Sequence, residues 1–321
     1  MKQEVLDLLR KSAQSSISGA EIAEMLGVSR AAVWKAVDAL RKDGYRIDAV
    51  TNKGYRLENA DEVINLKQID NFLTSKILAR SGELLFETDS TNNLAKERAK
   101  CGYAEGHLIL AEKQNAGKGR HGRAFYSPAH SGIYMSMVLR PKMSAERTSI
   151  ITIMAAVAVC ETLRSLYRLD AKIKWVNDIY IGNQKICGIL TEAGFEVESG
   201  NLEYAVLGIG INVFAAELPA ELSEIVTFLS AHTDRTINVN EMIAQVWNRF
   251  EKYYTDDDFS KVLDSYRKES MVLGKQVMFN KDGAACEAIA VDVDAYGGLV
   301  VRYSNGADET LRSGEISIRL I

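Results

Sequence analysis

The sequence predicts an α+β chain, and three observations predict it. Apolar residues in positions 1–60 recur at helical spacing in three short runs and then alternate. From about Leu66, longer helical patterns alternate with strand-like ones. From Val272 onward only short strands remain, separated by glycine turns. The 321 residues suit two or three domains, and 47% hydrophobic with 26% charged residues is ordinary for a globular protein. The predicted domains are 1–62, 63–270 and 271–321.

Val5, Leu6, Leu8 and Leu9 predict a first amphipathic helix. Ser18-Gly19-Ala20-Glu21 is a capping box, in which hydroxyl and carboxylate each satisfy an orphan backbone N–H. The second helix follows through Ile22, Ala23, Met25 and Leu26, and Gly27 stops it. Ser29 can cap a third, with Val33, Val37 and Leu40 on one face, and Gly44 ends it. Strands Tyr45–Val50 and Gly54–Leu57, joined through Asn52-Lys53-Gly54, complete a winged helix-turn-helix.

Charge is uneven. The chain carries −4 overall, residues 1–60 carry +2, and residues 29–57 carry +4. The bulk value argues against a non-specific nucleic-acid coat, whereas the local excess suits a DNA-reading helix. Ser29, Arg30 and Lys35 are candidates for base edges, and Arg41 and Lys53 join them as DNA-binding candidates. A winged helix used for protein contact stays open, and Trp34 is equally a groove-facing or a packing residue. Cys101, Cys160, Cys187 and Cys286 form no metal or disulfide spacing, so reduced cytoplasmic thiols are expected. The N-terminus lacks a signal-peptide core, and the 13-residue charge-free run Thr148–Cys160 is short for a bilayer. The expectation is a cytoplasmic protein without a membrane partner.

In the centre, Asn92–Lys100, Ser149–Leu166 and Asn240–Tyr254 read as helices. Leu84–Glu87, His107–Glu112, Gly132–Leu139, Ala171–Trp175, Lys185–Glu192 and Glu203–Ile211 read as strands of a mixed or antiparallel sheet. Four polar constellations interrupt them. Asp89-Ser90-Thr91-Asn92 precedes a helix and alone is an ordinary N-cap. Gln114 to Arg123 interleaves three glycines with Lys118, Arg120 and Arg123 and contains no acid. Such a loop lets backbone N–H groups and cations surround a polyphosphate or carboxylate, and its spacing matches neither a Walker A loop nor a dinucleotide fingerprint. Lys174-Trp175-Val176-Asn177-Asp178 ends one strand, and Lys185 opens the next as a phosphate or carboxylate partner. Gly208-Ile209-Gly210-Ile211-Asn212 clears one strand face for a ligand or another backbone.

These motifs, in this order, resemble those of the biotin–protein ligases. With the winged helix, the whole chain is similar to their bifunctional bacterial form, which is also the biotin operon repressor. The resemblance implies a two-step reaction: biotin and ATP, with Mg²⁺, give biotinyl-5′-AMP, and a lysine of a biotin carboxyl carrier protein then takes the biotinyl group. Ser90, Thr91, Asn92 and Gln114 would hold biotin, together with Lys118, Gly119, Arg120 and Lys185. Arg120, Arg123, Phe125, Asn177, Asp178, Lys185 and Asn212 would meet ATP or the adenylate, with Arg120 and Lys185 catalytic and Asp178 a possible Mg²⁺ ligand. Biotinyl-5′-AMP would be the corepressor, with operator DNA and a second copy of the chain as partners. Lys118 stands where many relatives carry Arg, Val176 where the motif has Pro, and Phe125 where some have Trp. The C-terminal strands Gln276–Phe279, Glu287–Val293, Leu299–Tyr303 and Ile316–Leu320, with turns at Gly283, Gly297-Gly298 and Gly306, suggest an SH3-like barrel. A lipoate-type ligase and a non-enzymatic biotin sensor are the alternatives.

Overall fold

In the computed structural model the described residues are 1–12, 15–42, 45–50, 53–57, 62–195, 202–281, 284–312 and 319–320. Gly44, Asn52, Gly283 and residues 316–318 lie outside them. The chain forms two compact units, Met1–Ile69 with Thr236–Glu241, and Asp70–Arg235 with Met242–Ile321.

In the first unit, α1 (Lys2–Lys11), α2 (Gly19–Leu26) and α3 (Arg30–Lys42) bury Val5, Leu6, Leu9, Ile22, Val33, Val37 and Leu40. Both halves of the capping box form: Glu21 N–H donates to Ser18 Oγ, and Ser18 N–H donates to the Glu21 carboxylate. Gly27 takes the left-handed conformation that turns the chain into α3. The wing is β1 (Ile47–Val50) paired antiparallel with β2 (Gly54–Leu57). Gly54, at φ 97°, is required there, because a Cβ would fall 2.1 Å from the Ile17 carbonyl oxygen. That closeness lets Ile17 bridge Tyr55 and lengthen the wing. A short α4 (Leu66–Phe72), which the sequence pattern did not show, follows.

The second unit is built on a seven-stranded mixed sheet, in order β3-β4-β5-β9-β8-β7-β6. The strands are β3 (Ser81–Leu85), β4 (His107–Ala111), β5 (Gly132–Leu139), β6 (Ala171–Lys174), β7 (Asp178–Ile181), β8 (Gln184–Phe195) and β9 (Leu202–Asn212). Only β3 and β4 are parallel. Helices α5 (Thr91–Lys100) and α6 (Thr148–Tyr167) pack on it, followed in sequence by α7 (Val239–Tyr254) and α8 (Ser260–Glu269). The stretch Ala145–Tyr167, longer than the charge-free run within it, has the length and hydropathy of a membrane span. Yet Ile150 to Cys160 is buried throughout, as the core helix of this unit.

The remaining strands, β10 (Gln276–Lys281), β11 (Ala284–Val293), β12 (Leu299–Arg302), β13 (Asp308–Leu311) and β14 (Arg319–Leu320), form an antiparallel sheet ordered β13-β12-β11-β10-β14. It is fastened to the rest of its unit. Arg267 of α8 binds Asp292 at 2.7 Å and the Val293 carbonyl at 2.6 Å, and Trp175 Nε1 donates to the Gly297 carbonyl at 3.1 Å.

Candidate functional site

The cationic loop is a closed hairpin. Gly119 N–H donates to the Arg123 carbonyl at 2.7 Å and Phe125 N–H to the Gly117 carbonyl at 2.8 Å, around a tight turn at Arg120–Gly122. Gly117 permits this closure, since a Cβ there would meet the Phe125 carbonyl oxygen at 2.4 Å. Lys118 Nζ donates to Asn93 Oδ1 on α5 at 2.8 Å, and Arg120 Nη1 to Asn177 Oδ1 at 3.3 Å. Burial lowers the Arg120 pKa and the nearby Asp178 carboxylate counters it, so the guanidinium stays charged.

The Asp-Ser-Thr-Asn motif does more than cap α5. Ser90 is the N-cap residue, but its side chain makes no capping bond. Instead Thr91 N–H donates to Gln114 Oε1 at 2.9 Å, and Gln114 Nε2 donates to Ser127 Oγ at 2.9 Å. Asn92 reaches across to β8, where its Nδ2 donates to Glu192 Oε2 at 2.9 Å. It passes over Gly208, whose Cβ would lie 2.1 Å from Asn92 Oδ1. The ring of Phe125 lies likewise over Gly210, whose Cβ would come 2.5 Å from it. The alternating glycines of β9 therefore make room for two side chains of this same site.

Asn177 is locked at the β6–β7 turn, with its Nδ2 donating to the Ile189 carbonyl at 2.9 Å. The preceding Trp175–Val176 peptide is cis. Lys185 Nζ forms an ion pair with Asp178 Oδ1 at 2.8 Å and stands 6.0 Å from the Phe125 ring centroid. Tyr180, beside them, is pushed up to about 12 by burial and then by the Asp178 charge.

These groups line one cavity of about 390 Å³. Ser90, Thr91, Asn92, Gln114, Lys118, Gly119, Arg120, Arg123, Phe125, Asn177, Asp178 and Lys185 all contribute to its wall; Asn212, at the end of β9, does not. Asp178 is the sole acid in that lining, and among the described residues no group of three or more His, Cys, Asp or Glu could cage a metal. One carboxylate fits a Mg²⁺ that arrives on phosphates.

On the helix-turn-helix, Arg30, Lys35 and Lys53 are exposed and make no ion pair among the described residues. Trp34 is 57% exposed, which decides its ambiguity in favour of a surface position. Ser29 and Arg41 are already engaged. Ser29 Oγ accepts from Ala32 N–H at 3.2 Å, and Arg41 Nε and Nη2 both donate to the Ile47 carbonyl, at 2.8 and 2.6 Å.

Comparison with known proteins agrees along the chain. A helix-turn-helix model matches residues 2–56, the biotin/lipoate A/B protein ligase family model matches 85–212, and the biotin protein ligase C-terminal domain matches 272–319. The bifunctional ligase/repressor BirA of Bacillus subtilis is 32% identical over 314 residues, 95% of each protein. The chain belongs to the bifunctional biotin ligase/repressor family. A second BirA of that family, from Bacillus spizizenii, is 36% identical over 260 residues, covering 80% of this chain and 79% of the relative. The biotin protein ligase of Aquifex aeolicus, solved in complex with biotin and ATP, superposes with a TM-score of 0.64 at 25% identity, over 75% of this chain and 100% of that one.

Sequence reasoning missed three residues that shape the family site here. Ser136 lies 2.6 Å from Asn92 Oδ1 and 2.8 Å from Thr91 Oγ1, and Glu192 pairs with Lys96 at 2.8 Å as well as with Asn92. Gly188 leaves the space that the Lys185 ammonium and the Phe125 ring approach. The signal for Ser136 was available: it is a fully buried serine set among the aliphatic, methionine and tyrosine side chains of β5.

Proposed function

We propose that this chain is an ATP-dependent biotin–protein ligase and a biotin-responsive transcriptional repressor. The observation that carries the ligase reading is the convergence of Arg120, Lys185 and Asn177 with the glycine-floored strands on one cavity. Two anions, a carboxylate and a triphosphate, must meet for adenylation, and fixed cations with backbone N–H groups lower that cost. The biotin carboxylate oxygen attacks the α-phosphorus, and pyrophosphate leaves. A carrier lysine amine then attacks the acyl carbon of the mixed anhydride, and AMP leaves.

Ser90, Thr91, Asn92 and Gln114 hold the ureido and ring end, and Lys118, Gly119 and Arg120 cover the carboxylate. Arg120 and Lys185 stabilise the charge that builds during transfer. Arg123, Asn177 and Phe125 serve the nucleotide, and Asp178 would hold a Mg²⁺ that would shield the phosphate charge. Asn212 supports the end of β9 beside the site. Division of labour follows chain order: residues 1–62 bind operator DNA, 63–270 catalyse, and 271–321 form an SH3-like cap. Biotinyl-5′-AMP acts as corepressor in a cytoplasmic homodimer whose two recognition helices match paired half-sites.

Incubation with biotin, MgATP and an apo carrier domain, followed by a streptavidin blot, tests the reading. A labelled carrier is expected. An unlabelled carrier despite tight biotin binding would favour the sensor alternative, and preference for lipoate over biotin in calorimetry would favour the lipoate-type ligase.

A further inference from the structure

Helix α3 carries a tryptophan that the fold does not use. Trp175 and Trp247 are buried, whereas Trp34 is 57% exposed. Val33, Ala36, Val37 and Leu40 supply the packing face of α3, and Trp34 stands away from it. A single exposed apolar side chain needs no partner, so the neighbours of Trp34 decide its case. At about 3.6 residues per turn, Ala31 lies one turn earlier on the same face, and it too is exposed. Arg30 and Lys35 flank this apolar pair on either side, both exposed and without an ion pair among the described residues. Asp38, one turn later, is compensated by Lys42 at 2.7 Å, so the face carries no uncompensated acid. An apolar strip between two cations matches the major groove of DNA. The cations meet phosphates along the groove walls, and the strip meets the base edges. The apolar group that those edges present is the thymine 5-methyl. A protein surface would have to supply acids on both sides of the strip, whereas a duplex supplies its phosphates there.

We infer that Trp34, with Ala31 beside it, reads thymine 5-methyl groups in the major groove, while Arg30 and Lys35 hold the flanking phosphates. The inference rests on the repressor reading and adds the base feature that α3 selects. Phosphate contacts fix register and carry no sequence information, so the strip between them is where this helix discriminates.

The test uses the full chain with biotin and MgATP. The probe is the duplex that the wild type retains from a random DNA pool, made once with thymine and once with uracil, which lacks only the 5-methyl group. The wild type is expected to bind the thymine form about tenfold more tightly, on the scale of one mismatched base pair. In Trp34→Ala that ratio should fall close to one, with the slope of log affinity against log salt unchanged, because Arg30 and Lys35 still meet phosphates. Trp34→Phe keeps an aromatic edge and should retain most of the ratio. Trp34→Gln, polar at the same exposed position, supplies the readout if Trp34→Ala does not fold. A change in DNA shape caused by uracil would persist in every variant, so an undiminished ratio in Trp34→Ala and Trp34→Gln overturns the inference and leaves Trp34 to a protein contact. A wild type that binds both forms equally overturns it too. A wild type that retains no preferred duplex overturns the repressor reading itself.

Discussion

Lys185 and Asp178 meet at 2.8 Å because of an irregularity in strand pairing. Asp178 pairs with Gly188 and Tyr180 with Lys185, with a bulge between Ile179 and Tyr180. The bulge places Lys185 and Gly188, three residues apart, on one face of the sheet. Gly188 has no side chain there, and a Cβ would lie 3.0 Å from the Lys185 ammonium. The ammonium thus reaches Asp178 over a gap left by a glycine. Each of these charges is partly buried and compensates the other.

Lys185→Ala is expected to lower biotin-dependent ATP–pyrophosphate exchange by about 10²–10³-fold, the usual loss when one preorganised charge donor is removed. Asp178 is then left without its cation beside incoming phosphates. Asp178→Asn in the same background should recover part of that loss, because it removes the repulsion. Exchange at the wild-type rate in Lys185→Ala would remove Lys185 from the catalytic set.

Gly208→Ala tests the crowding under Asn92. The new methyl would fall 2.1 Å from Asn92 Oδ1, which is pinned on its far side by Ser136 at 2.6 Å. The carboxamide must move, and it carries Thr91 with it through Ser136. Biotin affinity measured calorimetrically is expected to fall at least about tenfold, on the scale of a lost buried hydrogen bond to the ligand. The far-ultraviolet circular dichroism of the variant should match the wild type, since β9 keeps its backbone ladder. Unaltered affinity would show that Asn92 does not position the ligand.

Much of this was legible beforehand, and the part that was not has a physical reason. Helical and alternating patterns located α1, α2, α3, α6 and most strands, because each presents one apolar face to a core. Strand β7 is four residues long and carries Asp178 and Tyr180 toward the cavity, so its pattern was broken by the very residues that serve the site. Helix α8 was missed as well, although it buries Val262, Leu263 and Tyr266. The glycines of β9 announced a close approach, but only coordinates could show that Asn92 and Phe125 make it. The register bulge that joins Lys185 to Asp178 leaves no mark in composition or spacing.

The winged helix separates two kinds of basic residue. Arg30 and Lys35 project from α3 without a partner among the described residues, whereas Arg41 is strapped to the Ile47 carbonyl of the wing. Arg30→Ala and Lys35→Ala should each weaken operator binding and reduce the slope of log affinity against log salt by about one where a phosphate contact is lost. Arg41→Ala should lower the thermal stability of the DNA-binding unit, with a smaller change in salt slope. Equal slopes in all three variants and the wild type would place the phosphate contacts elsewhere.

The last prediction concerns acid. Glu269, at the end of α8, is 4% exposed and meets Arg164 at 2.5 Å and Lys172 at 3.1 Å. Burial alone would raise its pKa, but the hydrogen bonds from Arg164 and Lys172 outweigh burial and hold the carboxyl below the usual carboxylate range. The folded pKa therefore lies below the unfolded one, so the stabilisation is full above the unfolded value and is lost as pH falls through the folded one. The residues that follow it hold the strand that leads into Lys174 and Asp178, since Ser270 bridges Ile173 and Met271 N–H donates to the Ile173 carbonyl at 2.9 Å. Glu269→Gln is expected to cost on the order of 2 kcal/mol at pH 7, less than a fully buried pair because Arg164 and Lys172 are partly open to solvent. The gap in thermal midpoint between wild type and variant should narrow steadily below about pH 4.5, the unfolded carboxyl value. A gap that stays constant from pH 7 to pH 3 would mean that Glu269 acts through packing and not through its charge.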